Sequence, residues 1–368
     1  MPRAVRRSVG RNVLAFRGIR ARLSHFAIVL LLAALAGCTA TVRPLPQTTD
    51  YHHVDGRFHN IGASVDVAAE GAKWFGHGIK MQLGLFPRAR DLPPDHLLDE
   101  TEMRAGLRRS AQSSFAITWI GHSTTLVRIA DKWVLTDPAM LRSVGFGPFR
   151  VNRLVPARPS LDELPRIDVI LISHGDHDHL DVRTLRRLAR RNPDATVFVP
   201  LRNAPILEAA GFHDVRELDW FDRERLGDLE VVAVPANHGV RRPPYQINTF
   251  LWGGWILRHR GSALYFAGDT GFGTIFQDIR ERVGAVDVAV VPIGAYAPRS
   301  LQKDFHTNPE EAAEIARILG AGIAIGMHWG TFPLSEEPPT EQKSRFLAAS
   351  GHGVSTRVLR VGETLLLR

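Results

Sequence analysis

Nine consecutive residues, Ser173-His174-Gly175-Asp176-His177-Asp178-His179-Leu180-Asp181, carry three imidazoles and three carboxylates. An unbroken polar run from His174 to His179 makes no sense as core, because unpaired imidazoles and carboxylates are costly to bury. Imidazole nitrogens and carboxylate oxygens are the ligands zinc accepts at about 2.0–2.2 Å. A solvated polar loop is the competing reading, and three distant sites weigh against it. These are His238 in Pro235-Ala236-Asn237-His238-Gly239, Asp269 in Phe266-Ala267-Gly268-Asp269-Thr270, and His328 in Met327-His328-Trp329-Gly330. Each lies just beyond an apolar run and close to Gly, where a side chain can enter a cleft. Singly, each reads as a structural His or a turn Asp. The ordered set of cluster, His, Asp and His reads as a metal centre.

The elements around these residues are short. Residues 115–120, 125–129 and 133–136 are β-branched or aromatic runs between turn residues, hence predicted strands. The continuous apolar run 169–172, directly before the cluster, suits a strand buried on both faces. A helix is predicted from near Asp181, with Val182, Leu185 and Leu188 on one side. Further strands are predicted at 196–199, 231–234, 250–257, 264–267 and 288–291. Asn308-Pro309-Glu310-Glu311 reads as a helix start, with Asn as cap, Pro first and acids in the first turn. Ile315 and Leu319 should face inward, and Gly320 or Gly322 should end that helix. Many strands with interspersed helices predict an α/β protein, two sheets covered by helices.

The chain has 368 residues, 44% hydrophobic and 23% charged, and a formal charge of +8. Seven arginines and no acids lie in residues 1–37; without them 39 Lys and Arg face 38 Asp and Glu. A nearly neutral remainder gives no electrostatic case for binding nucleic acid. The basic stretch runs into eleven apolar residues, 26–36, which as helix span roughly 16 Å, about half a bilayer core. That suits a secretory signal and not a membrane span. Leu35-Ala36-Gly37-Cys38 is similar to the bacterial lipobox, in which the Cys is acylated, and Cys38 is the only Cys in the chain. The expected organisation is a lipoprotein signal over 1–37, a lipidated Cys38 with a tether over 38–60, and a catalytic domain over 61–368. An anchor of two or three acyl chains holds stably. The absence of Asp after Cys38 points to the outer membrane, facing the periplasm. Residues 61–110 form an extension whose apolar stretch (Trp74, Phe75, Ile79, Met81, Leu83, Leu85, Phe86) reads as packing. The other reading is a surface that touches lipid or frames a lipid groove.

The ordered set is similar to that of the metallo-β-lactamase superfamily, whose motif is His-x-His-x-Asp-His followed by a distant His, Asp and His. More closely, the chain resembles the N-acyl-phosphatidylethanolamine-hydrolysing phospholipase D family. The resemblance rests on Thr118-Trp119-Ile120-Gly121-His122-Ser123-Thr124, Leu135-Thr136-Asp137-Pro138, Leu171-Ile172-Ser173-His174 and Glu217-Leu218-Asp219-Trp220. It continues in Leu251-Trp252-Gly253-Gly254-Trp255, Phe266-Ala267-Gly268-Asp269-Thr270-Gly271, Pro292-Ile293-Gly294-Ala295-Tyr296 and His328-Trp329-Gly330-Thr331-Phe332.

The resemblance implies an αββα four-layer sandwich and two zinc ions. His174, His238 and Asp269 would bind one metal; Asp178, His179, His328 and the shared Asp269 would bind the other. Asp176 stands where the family has its second His. A carboxylate there can ligate, but as a harder, charged donor it shifts the site towards iron or manganese or weakens it. His177 is the alternative stand-in. His306 matches a further family His, read as a phosphate contact or proton donor beside the catalytic Asp178 and Asp269. His122 and Asp137 fit either a ligand-orienting or a merely structural role.

The implied activity is cleavage of a phospholipid, N-acyl-phosphatidylethanolamine, to N-acylethanolamine and phosphatidate by a hydroxide generated at the metals. A lactonase or sugar-phosphate hydrolase of the same superfamily is the enzymatic alternative, and a non-catalytic envelope lipoprotein the other. Oligomeric state, with a homodimer among the options, is not legible in the sequence.

Overall fold

Between residues 115 and 200 the apolar runs alternate in what they bury, and that alternation builds the layers. In the computed structural model the described residues are 52–61, 71–147, 149–243, 245 and 247–368, with the side chains of 71–75 and 82 left aside. The expected signal, Cys38 and the tether as far as residue 51 lie outside them. Val42–Arg241 and Ile247–Arg368 make up the main unit; Arg242–Gln246 belong to a second, in which the Tyr245 N–H donates to the Arg242 carbonyl (2.9 Å).

One seven-stranded sheet has the order Asp214–Leu218, Thr196–Pro200, Val169–Leu171, Lys132–Thr136, Thr124–Ile129, Phe115–Gly121, Thr364–Leu366. The other has the order Arg223–Leu226, Leu229–Val234, Gly254–His259, Ser262–Phe266, Val288–Pro292, Ile323–Met327, Ser355–Arg357. Successive side chains of a strand point to opposite faces. Ile117, Trp119, Val127, Val134, Val169, Leu171 and Phe198 therefore join the core shared with the second sheet. Their neighbours Ile120, Leu126, Leu135, Ile170, Ile172, Val197 and Val199 pack instead with Leu185, Leu188 and Leu207 of helices Val182–Arg191 and Ala204–Glu208. Indoles cross between the sheets: Trp119 stacks on Trp329 (centroids 5.6 Å apart), and Trp255 donates to the Ile172 carbonyl (3.0 Å). On the far side, Phe276, Ile279, Ile315 and Leu319 of helices Ile275–Val283 and Pro309–Ile318 and the turn after the latter complete the core. The result is the expected helix–sheet–sheet–helix sandwich.

The predicted helix starts hold, and so does the Asn308 cap. Asp181 accepts from Thr184 N, and Asn308 accepts from Glu311 N with Pro309 at the first position. Gly320, at φ +76°, follows the second helix in the left-handed conformation. The run 250–257 is only half strand, since pairing begins at Gly254. Residues 52–60, within the stretch expected to be tether, belong to the body. Strands His53–Val54 and Arg57–Phe58 form a hairpin, Phe58 is fully buried, and its N–H donates to the Asn248 carbonyl (2.8 Å). A buried aromatic ring outweighs the polar composition around it. Residues 71–82 form a helix, and helix Glu100–Gln112 packs beside strand Thr364–Leu366.

Candidate metal centre

Strands of both sheets that run in one direction end at the same edge, and the chemical residues stand in the loops just beyond. His122 follows Phe115–Gly121, Asp137 follows Lys132–Thr136, and the cluster from His174 follows Val169–Leu171. His238, Asp269 and His328 follow Leu229–Val234, Ser262–Phe266 and Ile323–Met327. Non-glycine residues rarely adopt positive φ, yet His122 (+56°), Asp137 (+35°) and His328 (+59°) all do. Hydrogen bonds hold these turns: His122 N–H to Thr331 Oγ1 (2.7 Å) and His328 N–H to the His122 carbonyl (3.1 Å). Gly268 (φ +61°) is required for the approach of Asp269, because a Cβ there would lie 2.5 Å from Ser173 Cβ.

The side chains converge in two adjacent groups, with the His174 and His179 ring centroids 4.1 Å apart. In the first, Asp176 Oδ2 stands 3.7 Å from His174 Nε2 and 4.0 Å from His238 Nε2. Its other oxygen is fixed by the Arg241 N–H (2.8 Å), so one carboxylate oxygen is left aimed at the two imidazoles. In the second, Asp178 Oδ2 lies 3.6 Å from His179 Nε2 and 3.9 Å from His328 Nε2. Asp269 Oδ2 is 3.1 Å from both His179 Nε2 and His328 Nε2, and 3.8 Å from His306 Nδ1. His177 joins neither group; its ring lies against Phe146 (5.1 Å). Asp176 is thus the residue standing beside His174 and His238.

Around these groups lies a layer of orienting contacts. Asp137, fully buried, accepts from Ser173 N (2.7 Å) and from Ser173 Oγ (2.5 Å), and its Oδ2 is 2.8 Å from His179 Nδ1. Ser173 Oγ is also 2.8 Å from His174 Nδ1, and His122 Nε2 is 2.9 Å from Asp178 Oδ2. His238 Nδ1 faces the Phe305 carbonyl (3.2 Å). The sequence reading missed Asn60, whose Oδ1 accepts from His238 N and whose Nδ2 donates to the His238 carbonyl (both 3.0 Å). No local signal marks a lone Asn in a polar stretch.

Burial and neighbouring charge set the protonation states. His174 is held well below the ordinary imidazole range by burial, then by His179 and His238. Burial likewise brings His238 to about 4 and His306 to about 3. These rings are neutral, as ligation requires. Burial alone would lower His179, but Asp269 and Asp178 raise it well above the usual range. Burial works to raise Asp178 and Asp269; His179 outweighs it with His122 in the first case and His328 in the second, and holds both low. Asp176 is pushed up to about 7 by burial and then by the Asp178 charge. A cation between these groups would relieve that crowding of negative charge. The nitrogen Nε2 of His174, Nε2 of His238 and Oδ1 of Asp269 are buried without a hydrogen-bond partner. Unpaired buried polar atoms are rare, and convergent ones of this chemistry fit a divalent metal.

A cavity of about 380 Å³ opens over the cluster. Its floor is Asp176, Asp178, His238, Asp269, His306 and His328; Met81, Val240, Ile247, Phe305 and Leu334 supply apolar wall. Helix Gly71–Gln82 reaches it through His77, Gly78 and Met81.

Comparison with known proteins agrees with this geometry. Residues 132–329, more than half of the chain, match the family model of the β-lactamase superfamily domain. The N-acyl-phosphatidylethanolamine-hydrolyzing phospholipase D 1 of Caenorhabditis elegans is 36% identical over 236 residues, 61% of this chain and 66% of that protein. The chain therefore spans just under two thirds of that relative's length. A UPF0173 metal-dependent hydrolase of Listeria innocua is 33% identical over 53% of this chain and 80% of its own. Among solved structures, the metallo hydrolase Igni18 of Ignicoccus hospitalis superposes with a TM-score of 0.53 at 23% identity, covering 68% of this chain and 97% of its own. The chain belongs to the β-lactamase superfamily.

Proposed function

We propose that this hydrolase is a phosphodiesterase of the phospholipase D type, cleaving N-acyl-phosphatidylethanolamine to N-acylethanolamine and phosphatidate. The observation that carries the reading is the cavity: a floor of carboxylates and imidazoles beneath an apolar wall suits a phosphodiester attached to acyl chain. Each methylene removed from water contributes ~0.8 kcal/mol. A lactone or sugar phosphate would leave Met81, Phe305 and Leu334 facing a polar ligand. The worm relative is named for the same activity.

His174, Asp176 and His238 would hold one metal and Asp178, His179 and His328 the other, with Asp269 shared. Zinc is the first choice for so many imidazoles, while the His174–Asp176–His238 set of two imidazoles and one carboxylate also suits iron or manganese. A divalent cation there supplies Lewis acidity to a phosphoryl oxygen and a water nucleophile at neutral pH. The protein's own residues position and protonate. Asp137 and Ser173 fix the rings of His179 and His174, and His122 fixes Asp178. His306, neutral and lining the cavity beside Asp269, is placed to donate a hydrogen bond to the phosphoryl or leaving oxygen.

The anchor follows the same logic. Thirteen residues separate Cys38 from His52, where the described body begins; fully extended, the fourteen steps from Cys38 to His52 reach at most roughly 50 Å. A lipidated Cys38 would keep the body within reach of the outer-membrane surface, in the periplasm, where Ile79, Leu83 and Leu85, exposed on and just after the helix that walls the cavity, can meet lipid. Among the described residues no helix is long and apolar enough to cross a membrane.

The test is release of N-acylethanolamine from N-acyl-phosphatidylethanolamine in detergent micelles by the zinc-loaded protein. Release should stop with a chelator and in Asp269→Ala, which should also bind less metal. Zinc-replete protein without release would discard the substrate, and an active, metal-replete Asp269→Ala would discard the site.

A further inference from the structure

Outside the cavity, one other group of side chains among the described residues brings ligand atoms together: His52, His53 and Asp219. Asp219 follows the edge strand Asp214–Leu218, two strands from the one that ends at the His174 loop. At about 4.8 Å per strand that places it roughly 10 Å away, outside the cavity lining. His52 Nε2 stands 2.9 Å from Asp219 Oδ1, and His53 Nε2 stands 3.5 Å from Asp219 Oδ2. The two rings meet edge-on with centroids 4.3 Å apart. Both histidine side chains are 5% exposed and Asp219 17%, so the trio is sheltered but reached by solvent from the carboxylate side.

The surroundings hold the trio in place. Trp220 stacks on His52 at 4.4 Å and Phe58 meets His53 edge-on at 4.7 Å. Backbone N–H groups fix the carboxylate loop: Trp220 N donates to Asp219 Oδ1 (2.7 Å) and Asp219 N to Asp222 Oδ2 (2.8 Å). Two imidazoles from one segment and a carboxylate from another form a set that zinc accepts, with water completing the coordination.

We propose that His52, His53 and Asp219 form a further divalent-cation site, one that clasps segment 52–61 onto the end of strand Asp214–Leu218. In the 2.9 Å contact His52 Nε2 donates to the Asp219 carboxylate, and a cation among the three would take the place of that hydrogen bond. The clasp has a functional address. Trp220 donates to the Trp252 carbonyl (2.6 Å), Trp252 Nε1 lies 3.1 Å from Asn60 Oδ1, and Asn60 holds both backbone groups of His238. The cation therefore secures the segment that fixes one histidine of the main centre. This site does not depend on the substrate proposed above.

The experiment counts zinc bound per full-length chain, after chelator treatment and titration with zinc alone, in wild type, His53→Ala and Asp219→Asn. Each variant should bind one zinc fewer than wild type. In a chain carrying His174→Ala, His179→Ala, His238→Ala and His328→Ala, which strips the imidazoles from both sets of the main centre, one bound zinc should remain, and adding His53→Ala should remove it. Because a substitution could cost folding, a zinc-edge anomalous map of wild-type crystals gives the second readout, with a peak among the three side chains expected. Equal zinc in wild type and both variants, or anomalous density confined to the cavity floor, would overturn the proposal.

Discussion

Replacing Asp137 by Asn exchanges one atom of a buried anchor, and its main effect should fall on metal affinity. The carboxylate takes the Ser173 N–H on Oδ1 (2.7 Å) and faces His179 Nδ1 with Oδ2 (2.8 Å). A carboxylate only accepts, so Nδ1 keeps a proton, and when a metal takes the place of the second proton Nε2 presents its lone pair. Asn keeps one acceptor, which stays on the Ser173 N–H, and turns its NH₂ towards Nδ1. Nδ1 must then accept and the ring proton moves to Nε2. That atom lies 3.1 Å from Asp269 and 3.6 Å from Asp178, and once protonated it cannot ligate. Losing such an outer partner typically weakens metal binding about 10–100-fold, or ~1.4–2.8 kcal/mol. Folding should suffer less, by ~1 kcal/mol, because the Ser173 N–H bond persists and the Ser173 hydroxyl, which donates to Oδ2 in the wild type (2.5 Å), can turn to accept from the new NH₂. The assay is zinc titration against a chromophoric chelator, alongside urea unfolding of chelator-treated protein. The expected pair of results is one zinc bound 10–100-fold more weakly and a urea midpoint close to wild type. Unchanged zinc affinity with a large drop in the midpoint would refute the tautomer argument and make Asp137 a folding residue alone.

Other outcomes follow from the same geometry. Asp176→His should preserve or raise zinc occupancy, measured as metal per chain; a fall would mean that the loop fixed by the Arg241 N–H cannot seat an imidazole. Gly268→Ala places a Cβ 2.5 Å from Ser173 Cβ at φ +61°, and should destabilise by ~2–4 kcal/mol through overpacking and left-handed strain. An unchanged urea midpoint would contradict that packing. His306→Ala should lower kcat on the order of 10²-fold with metal content intact; loss of metal instead would move His306 from substrate contact to ligand.

Much of the centre was legible because its chemistry is local. Six residues from His174 to His179 cannot be core, and Val169–Leu171 before them can only be a buried strand. The helix start near Asp181 and the cap at Asn308 were equally plain, since helix starts are written in neighbouring residues. What escaped were features decided by tertiary contact. Strands Asp214–Leu218 and Arg223–Leu226 are sheet edges, and their charged residues, which suit an edge, erase the apolar pattern. Residues 250–253 are apolar yet unpaired because they cross the strand ends, with Leu251 N–H on the Leu201 carbonyl and Gly253 N–H on the Ser173 carbonyl. The 53–58 hairpin is anchored by a single buried ring, Phe58, and Asn60 acts on a residue 178 positions away. The apolar stretch after residue 71 had two readings, packing or a groove frame, and the helix does line the cavity with His77, Gly78 and Met81.

The most direct test of the central claim is where water's oxygen goes. Zinc-loaded protein turning over N-acyl-phosphatidylethanolamine in ¹⁸O-water should place one ¹⁸O in phosphatidate and none in N-acylethanolamine, read by mass spectrometry of both products. Label in a freed fatty acid or in the ethanolamide, or no turnover by metal-replete protein, would contradict attack at phosphorus and with it the function proposed here.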